Sequence, residues 1–200
     1  MRILVIGATG TIGRAVVKAL SGRHEVLEAA RSKAQYRADI TQKDSLQQLF
    51  RQVGPVDAIV STTGNAAFKP LDQLSDEDFQ MSLGNKLMGQ VNVARLGLAC
   101  VKDGGSITLT SGVLAQEPMQ GACAVSLVNA ALEGFMRSAA LEAPRGVRIN
   151  VVSPPWVNET LEAYGMKGIA GLPAAAVAPA YVESVESKRK GEVLDARKFA

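Results

Sequence analysis

A short apolar run leads directly into three evenly spaced glycines in the sequence Ile3-Leu4-Val5-Ile6-Gly7-Ala8-Thr9-Gly10-Thr11-Ile12-Gly13-Arg14. The run is typical of a buried strand, and the residues after the glycines are typical of a helix. Glycines allow the tight turn and let the backbone approach a pyrophosphate, while the first helical turn offers unpaired N–H groups. Because a strand precedes the glycines and a helix follows them, the pattern predicts a phosphate-binding loop. The alternative is a turn that needs glycine for packing only.

Short apolar runs alternate with longer amphipathic ones along the rest of the chain. This order predicts one α/β domain over residues 1–200, a Rossmann-type doubly wound parallel sheet of about seven strands with helices on both faces. The expected strands are Arg2–Ile6, Glu25–Ala30, Tyr36–Ile40, Val56–Thr62, Gly105–Ser111, Val147–Val152 and Glu192–Asp195. The expected helices are 12–21, Thr41–Val53 with Thr41 as its N-cap, a long helix from Ser75 or Asp76 to about Lys102, 121–143 and 174–188.

Composition excludes several classes of protein. The formal charge of +3 is too small for an electrostatic nucleic-acid binder. No apolar run reaches the length of a membrane span or of an export signal, so we expect a cytoplasmic protein without a membrane partner. Two cysteines do not make a disulfide framework, and the single histidine, His24, cannot build a histidine-based metal site.

The residues after the second predicted strand determine which dinucleotide is preferred. An acidic side chain there binds a ribose 2′-hydroxyl, whereas arginine binds a 2′-phosphate. The strand ends with Ala30, and Arg31, Ser32 and Lys33 follow it, so we expect NADP(H) with Arg31 and Ser32 on the phosphate and Lys33 assisting. The rival residue is Glu28, which favours NAD(H) if the strand ends earlier. The glycine loop adds six predicted contacts: Gly7, Thr9, Gly10, Thr11, Ile12 and Gly13.

With these features the chain resembles the short-chain dehydrogenase/reductase family over nearly all its length. The clearest likeness is Glu142–Pro154, which resembles the sixth strand of that family, and residues 129–135 resemble its active-site helix. Asp39-Ile40 resembles the adenine-contacting pair of the family, and Thr62-Thr63-Gly64 stands in place of its Asn-Ala-Gly. The glycine spacing is that of the extended and atypical branches. The resemblance implies further cofactor contacts at Asp39, Ile40, Thr62, Thr63, Gly64, Asn129, Pro154 and Val157.

The resemblance also implies hydride transfer to a carbonyl, which the family assists with Ser, Tyr, Lys and Asn. Asn85 matches the helix Asn of the family. The Ser, Tyr and Lys positions fall on Gly112, Val125 and Asn129, so both the phenol and the ammonium are missing. A positioned acid/base supplies about 10²–10⁴-fold in rate, and carbonyl reduction here needs another proton donor.

Two residues are candidates for that replacement. Lys86 follows Asn85 on a predicted helix and can act as an acid if desolvation lowers its pKa; the alternative is a solvated lysine. Ser111 lies one residue from the Ser position of the family, although a structural hydroxyl is the alternative. The predicted catalytic residues are therefore Asn85, Lys86 and Ser111.

Two functions remain open from the sequence. One is an NADP(H)-dependent oxidoreductase acting on a small carbonyl or alcohol, and the other is a catalytically inactive NADP(H)-binding redox sensor. We also expect a homo-oligomer, because residues 82–102 and 121–143 resemble the dimer-forming helices of the family. An apolar stripe at helical spacing supports this, although it could equally be core; its members are Leu87, Val91, Ala94 and Leu98.

Overall fold

A computed structural model describes all 200 residues and contains one parallel sheet with strand order β3-β2-β1-β4-β5-β6-β7. The strands are β1 Arg2–Ile6, β2 Glu25–Ala30, β3 Tyr36–Arg37, β4 Val56–Ser61, β5 Val101–Thr110, β6 Arg148–Ser153 and β7 Val193–Asp195. The helices are α1 Thr11–Ser21, α2 Lys43–Val53, α3 Asp76–Ser82, α4 Gly89–Gly97, α5 Cys123–Glu142, α6 Asn158–Ala163 and α7 Ala174–Glu186. This arrangement confirms the predicted Rossmann-type fold.

The sheet is buried on both faces, because successive side chains of a strand point in opposite directions. In β1, Leu4 and Ile6 join the core beneath α2, α4 and α5, whereas Ile3 and Val5 join the core beneath α1 and α7. The apolar run that opens the phosphate-binding motif is therefore covered by helices on both sides.

The long helix predicted from residue 75 or 76 to about Lys102 is interrupted. Ser75 caps α3 through a reciprocal capping box with Asp78, as expected at that end. A π-helical segment, Leu83–Met88, then separates α3 from α4, and α4 ends at Gly97. The apolar periodicity continues through the wide π turn, so the sequence pattern did not show the break.

Two further boundaries differ from the prediction near Asp39. The third strand is only Tyr36–Arg37, because the Asp39 carboxylate accepts hydrogen bonds from the Thr41 amide (2.9 Å) and hydroxyl (2.7 Å) and turns the chain. Since Thr41 is used in this turn, it does not cap α2, whose N-cap is Gln42. The fifth strand begins at Val101, before the predicted Gly105.

The predicted apolar stripe on α4 belongs to the core. Val91 and Ala94 are buried, while Leu87 and Leu98 pack against the same core cluster. The stripe is therefore explained by the core of this chain, and the homo-oligomer stays a prediction. No helix of the chain is both long and apolar enough to cross a membrane.

Candidate functional site

A cavity of about 740 Å³ opens where β1, β4, β5 and β6 end. Chain order reverses between β1 and β4, and such switch points are where open α/β sheets bind ligands. The cavity is lined by Thr11, Ile12, Thr62, Thr63, Gly64, Asn65, Ala66, Phe68, Lys86, Thr110, Ser111, Gly112, Val113, Leu114, Val125, Asn129, Pro154, Pro155, Trp156, Val157, Thr160, Tyr164 and Met166.

The start of α1 lines one part of this cavity through Thr11 and Ile12, whereas Gly7, Gly10 and Gly13 of the preceding glycine loop do not line it. Gly7 has a φ of +91°, and its amide donates to the Ala29 carbonyl oxygen at 2.8 Å. A Cβ atom on Gly13 would overlap the carbonyl oxygen of Gly7, so α1 can lie this close to the loop only with glycine there. Gly10 is the N-cap of α1 and leaves the first-turn amides without a side-chain cap. These amides are free to bind a phosphate group.

Thr9 and Thr11, which were both predicted to contact the cofactor, take different positions in the structure. Thr11 lines the cavity together with Ile12. Thr9 does not line it, and its carbonyl oxygen accepts a hydrogen bond from the Arg14 guanidinium at 2.6 Å.

The end of β2 bears on the choice of dinucleotide. The strand ends at Ala30, exposed Arg31 and Ser32 follow it, and Glu28 lies inside the strand opposite Val5. Arg31 lines a second concavity, which also contains Asp39. Hydrogen bonds from Thr41 lower the pKa of Asp39, with a smaller contribution from the Arg31 charge.

Ile40 and Asp39 do not line the main cavity. The Ile40 side chain is buried against α4, where a Cβ atom on Gly89 would lie 2.6 Å from its Cδ1 atom. Ile40 is therefore a core residue that holds α4 against the sheet, and its predicted cofactor contact stays a prediction.

The segment after β4 places three predicted residues in the cavity wall. The Thr62 hydroxyl donates to the Ile6 carbonyl oxygen at 3.2 Å, and the Thr63 and Ser61 hydroxyl oxygens are 2.7 Å apart. Gly64 has a φ of +117°, and a Cβ atom there would lie 2.8 Å from Cα of Lys86. The close approach at Gly64 brings Lys86 to the cavity.

Gly112, Val125 and Asn129 come together in the cavity, as the family resemblance implied. Asn129 is 1% exposed, its amide nitrogen lies 3.5 Å from the Gly112 carbonyl oxygen, and its Oδ1 atom has no hydrogen-bond donor. A buried acceptor without a donor is costly, and a ribose hydroxyl can supply the missing hydrogen bond. The cavity therefore fits a dinucleotide. A Cβ atom on Gly112 would approach the Asn129 amide nitrogen to 3.0 Å, which leaves little room for a serine there.

Asn85 and Lys86 lie on the π-helical segment, a conformation that is frequent at functional sites. Asn85 does not line the cavity; its Oδ1 atom accepts a hydrogen bond from the Asn65 amide at 2.8 Å and so positions the cavity wall. Its catalytic role stays a prediction.

Lys86 does line the cavity. Its ammonium donates to the Ser111 carbonyl oxygen at 3.2 Å, and burial lowers the pKa of Lys86 to about 8. Lys86 is therefore half-buried rather than a freely solvated lysine, and a pKa lowered by burial was the condition for acid catalysis.

The Ser111 hydroxyl is already engaged. It donates to Oε1 of Glu133 at 3.0 Å, while Oε2 of Glu133 accepts from Gln116 at 2.9 Å and lies 3.5 Å from the Arg137 guanidinium. Glu133 is 1% exposed. The Ser111 side chain therefore has the structural role that was the alternative to catalysis, and only its carbonyl oxygen meets Lys86.

Sequence reasoning gave Glu133 no role, although a signal was present. Glu133 follows Val125 and Asn129 at intervals of four, which places all three on one face of α5. An acidic residue on a buried helix face needs polar partners. Here two of those partners, Ser111 and Gln116, belong to the segment after β5, and the third, Arg137, lies one turn further along α5.

The other wall of the cavity is apolar. The rings of Trp156 and Phe68 meet edge to face at 5.4 Å, and the indole N–H of Trp156 lies 3.3 Å from Sδ of Met119. Tyr164 and Met166 also line the cavity, and Tyr164 is 71% exposed. Pro154 and Val157, two predicted cofactor contacts, line the cavity beside them.

The fold and the site define a Rossmann-type dinucleotide-binding protein. A family model described as Enoyl-(Acyl carrier protein) reductase matches residues 10–193. The chain therefore belongs to the short-chain dehydrogenase/reductase family, and the resemblance seen in the sequence is confirmed.

Individual relatives agree with this assignment. The chain is 33% identical over 126 residues to the Hydroxynaphthalene reductase-like protein Arp2 of Metarhizium brunneum, a match that covers 59% of this chain and 46% of that protein. It thus spans about half the length of the curated relatives it matches first.

Solved structures match over nearly the whole chain. The protein lin1944 from Listeria innocua superposes with a TM-score of 0.94 at 41% identity, covering 98% of both chains. A small-chain dehydrogenase in complex with NADPH superposes with a TM-score of 0.86 at 25% identity, covering 98% of this chain and 95% of that one.

Proposed function

We propose that this chain is an NADP(H)-dependent oxidoreductase that reduces a small carbonyl compound, with Lys86 as the proton donor in place of the missing tyrosine. The observation that carries the proposal is the Lys86 ammonium, which lies in the cavity with a single hydrogen bond to the Ser111 carbonyl oxygen.

Three features support the coenzyme. The amides at the start of α1 suit a diphosphate, the free Oδ1 of Asn129 suits a ribose hydroxyl, and Arg31 directly after β2 suits a 2′-phosphate. The structural relative in complex with NADPH favours the same choice.

Lys86 supplies the acid in this proposal. Its ammonium donates a hydrogen bond to the carbonyl oxygen of the substrate. As that oxygen gains negative charge, the proton moves to it from Nζ, and solvent later restores the proton on Nζ. A bound reduced nicotinamide supplies the hydride. A pKa of about 8 suits Lys86 better for this role than the ordinary value of lysine, because a proton donor works best with a pKa near the operating pH.

A panel of aldehydes, ketones and 2-oxo acids, followed by NADPH absorbance, tests this function. With any substrate found, Lys86→Met should lower kcat by about 10²–10⁴-fold while NADPH affinity stays unchanged. The matched control is Lys167→Met, which removes an exposed lysine outside the cavity. Because the acid must be charged to act, kcat/KM should also fall as the pH rises through about 8. Unchanged turnover in Lys86→Met removes Lys86 from the mechanism.

A catalytically inactive NADP(H)-binding redox sensor is the second candidate. It is favoured by the absence of the family Ser, Tyr and Lys at Gly112, Val125 and Asn129. Tight NADPH binding without turnover of any carbonyl in the panel supports the sensor over the enzyme.

A further inference from the structure

The cavity carries a single charge. Among all the side chains that line it, Lys86 is the only one that is charged at neutral pH. A ligand in this cavity therefore meets a cation and no carboxylate.

The protein supplies no counter-ion to the Lys86 ammonium. The carboxylate beyond Ser111 is that of Glu133, whose oxygens are engaged by Ser111, Gln116 and Arg137. On α3, which precedes the π segment, Asp78 is paired with Lys69 at 2.8 Å. A half-buried ammonium without a counter-ion is costly, and an anionic ligand offsets that cost.

The ammonium also has unused hydrogen-bonding capacity. A lysine has three N–H donors, and the Ser111 carbonyl oxygen uses one of them. Two donors are left for a ligand. One serves the reacting carbonyl oxygen in the proposed function, and the second has no partner in the protein.

We propose that the substrate carries an ionised oxygen on the carbon next to its reacting carbonyl, as a 2-oxo acid does, and that Lys86 binds both oxygens. The two oxygens of such a group are close enough for one ammonium to reach both. The assignment of the carbonyl as the reacting group rests on the proposed function, whereas the anion site at Lys86 does not.

The rest of the substrate is apolar in this assignment. The apolar side chains that line the cavity suit a ring or a branched hydrocarbon; they include Trp156, Phe68, Leu114 and Met166. A 2-oxo acid with an aromatic substituent combines both requirements, and benzoylformate is the smallest such probe.

Isothermal titration calorimetry of benzoylformate and its methyl ester tests the proposal. The ester keeps the ring and the ketone but removes the charge. The titrations are run in the presence of NADP⁺, which cannot supply a hydride and occupies the phosphate sites, and again without coenzyme. We expect benzoylformate to bind wild-type protein at least about tenfold more tightly than the ester, and Lys86→Met to remove this preference. Lys167→Met should keep it.

Each other outcome overturns the proposal. Equal affinity for acid and ester in wild-type protein, a preference that survives in Lys86→Met, or no binding of either probe excludes the anion site. A loss of NADP⁺ affinity in Lys86→Met without a change for benzoylformate assigns the ammonium to the coenzyme phosphates. Failure of the proposed function is seen separately, as absent NADPH binding or absent turnover, while the preference for the acid over the ester persists.

Discussion

At the scale of single residues, the site is notable for where its positive charge comes from. The family position for lysine holds Asn129 on α5, and the cation of the cavity is Lys86 on the π-helical segment. In our proposal the two residues divide the work of the family lysine, since Asn129 would accept a hydrogen bond from a ribose hydroxyl while the Lys86 ammonium would bind the substrate.

Arg31 determines the preference between coenzymes in our proposal. Arg31→Ala should remove a charge-assisted contact to the 2′-phosphate, which amounts to about a ten- to hundredfold preference of NADPH over NADH. Dissociation constants from coenzyme fluorescence measure this. The control is Arg51→Ala, which removes an exposed arginine of α2 that lines neither the main cavity nor the second concavity beside Arg31. Equal affinities for NADPH and NADH in wild-type protein contradict the assignment.

At the scale of elements, the π-helical segment places Lys86 at the cavity, and the glycine loop allows α1 to lie close to β1. The π turn directs Asn85 to the Asn65 amide and Lys86 to the Ser111 carbonyl oxygen, so consecutive residues serve two different strand ends. The glycine loop sets the distance between β1 and α1.

Gly13→Ala should disrupt the close approach of α1 to the glycine loop. The added Cβ overlaps the Gly7 carbonyl oxygen, so α1 must move away from the loop, at a cost of about 2–4 kcal/mol in the free energy of unfolding. NADPH affinity should fall as well, because the amides of α1 move with the helix. Urea denaturation and coenzyme titration measure the two effects.

Gly22→Ala is the matched control for this prediction. Gly22 is the C-cap of the same helix, has a φ of −69°, and has open space where a Cβ would lie. This variant should be neutral or slightly more stable than wild-type protein. A Gly13→Ala protein as stable as Gly22→Ala shows that the loop tolerates a side chain.

At the scale of the whole molecule, the Lys86 ammonium without a counter-ion lowers the free energy of unfolding. Lys86 has a pKa of about 8 in the folded protein and an ordinary value of 10.5 in the unfolded chain. Between these two values the unfolded chain binds more protons, so stability rises with pH. The penalty is therefore complete below about pH 8 and fades as the pH approaches 10.5.

Lys86→Met should consequently stabilise the protein by about 1–3 kcal/mol near pH 7, because it removes the desolvated charge and keeps an apolar chain of similar length. The gain should shrink as the pH is raised from 8 towards 10.5. Urea denaturation at neutral and alkaline pH, with Lys167→Met as control, measures it. A variant less stable than wild-type protein at neutral pH shows that the ammonium does not carry this penalty.

The sequence alone was sufficient for the α/β fold, for the glycine loop and for the absence of the family Tyr and Lys. These features depend on residues close together in the chain or on positions counted from a motif, so local periodicity and spacing carry the information. The fold class was also insensitive to errors of a few residues at the ends of strands, as at the short third strand.

Only the tertiary structure decided what the polar side chains at the site do. The Ser111 hydroxyl is bound by Glu133, and its carbonyl oxygen meets an ammonium that has no counter-ion. These contacts join residues more than 20 positions apart in the chain, namely Lys86 in the π-helical segment, Ser111 directly after β5 and Glu133 in α5. A hydrogen bond depends on distances of a fraction of an ångström between such segments, and the sequence pattern does not contain those distances.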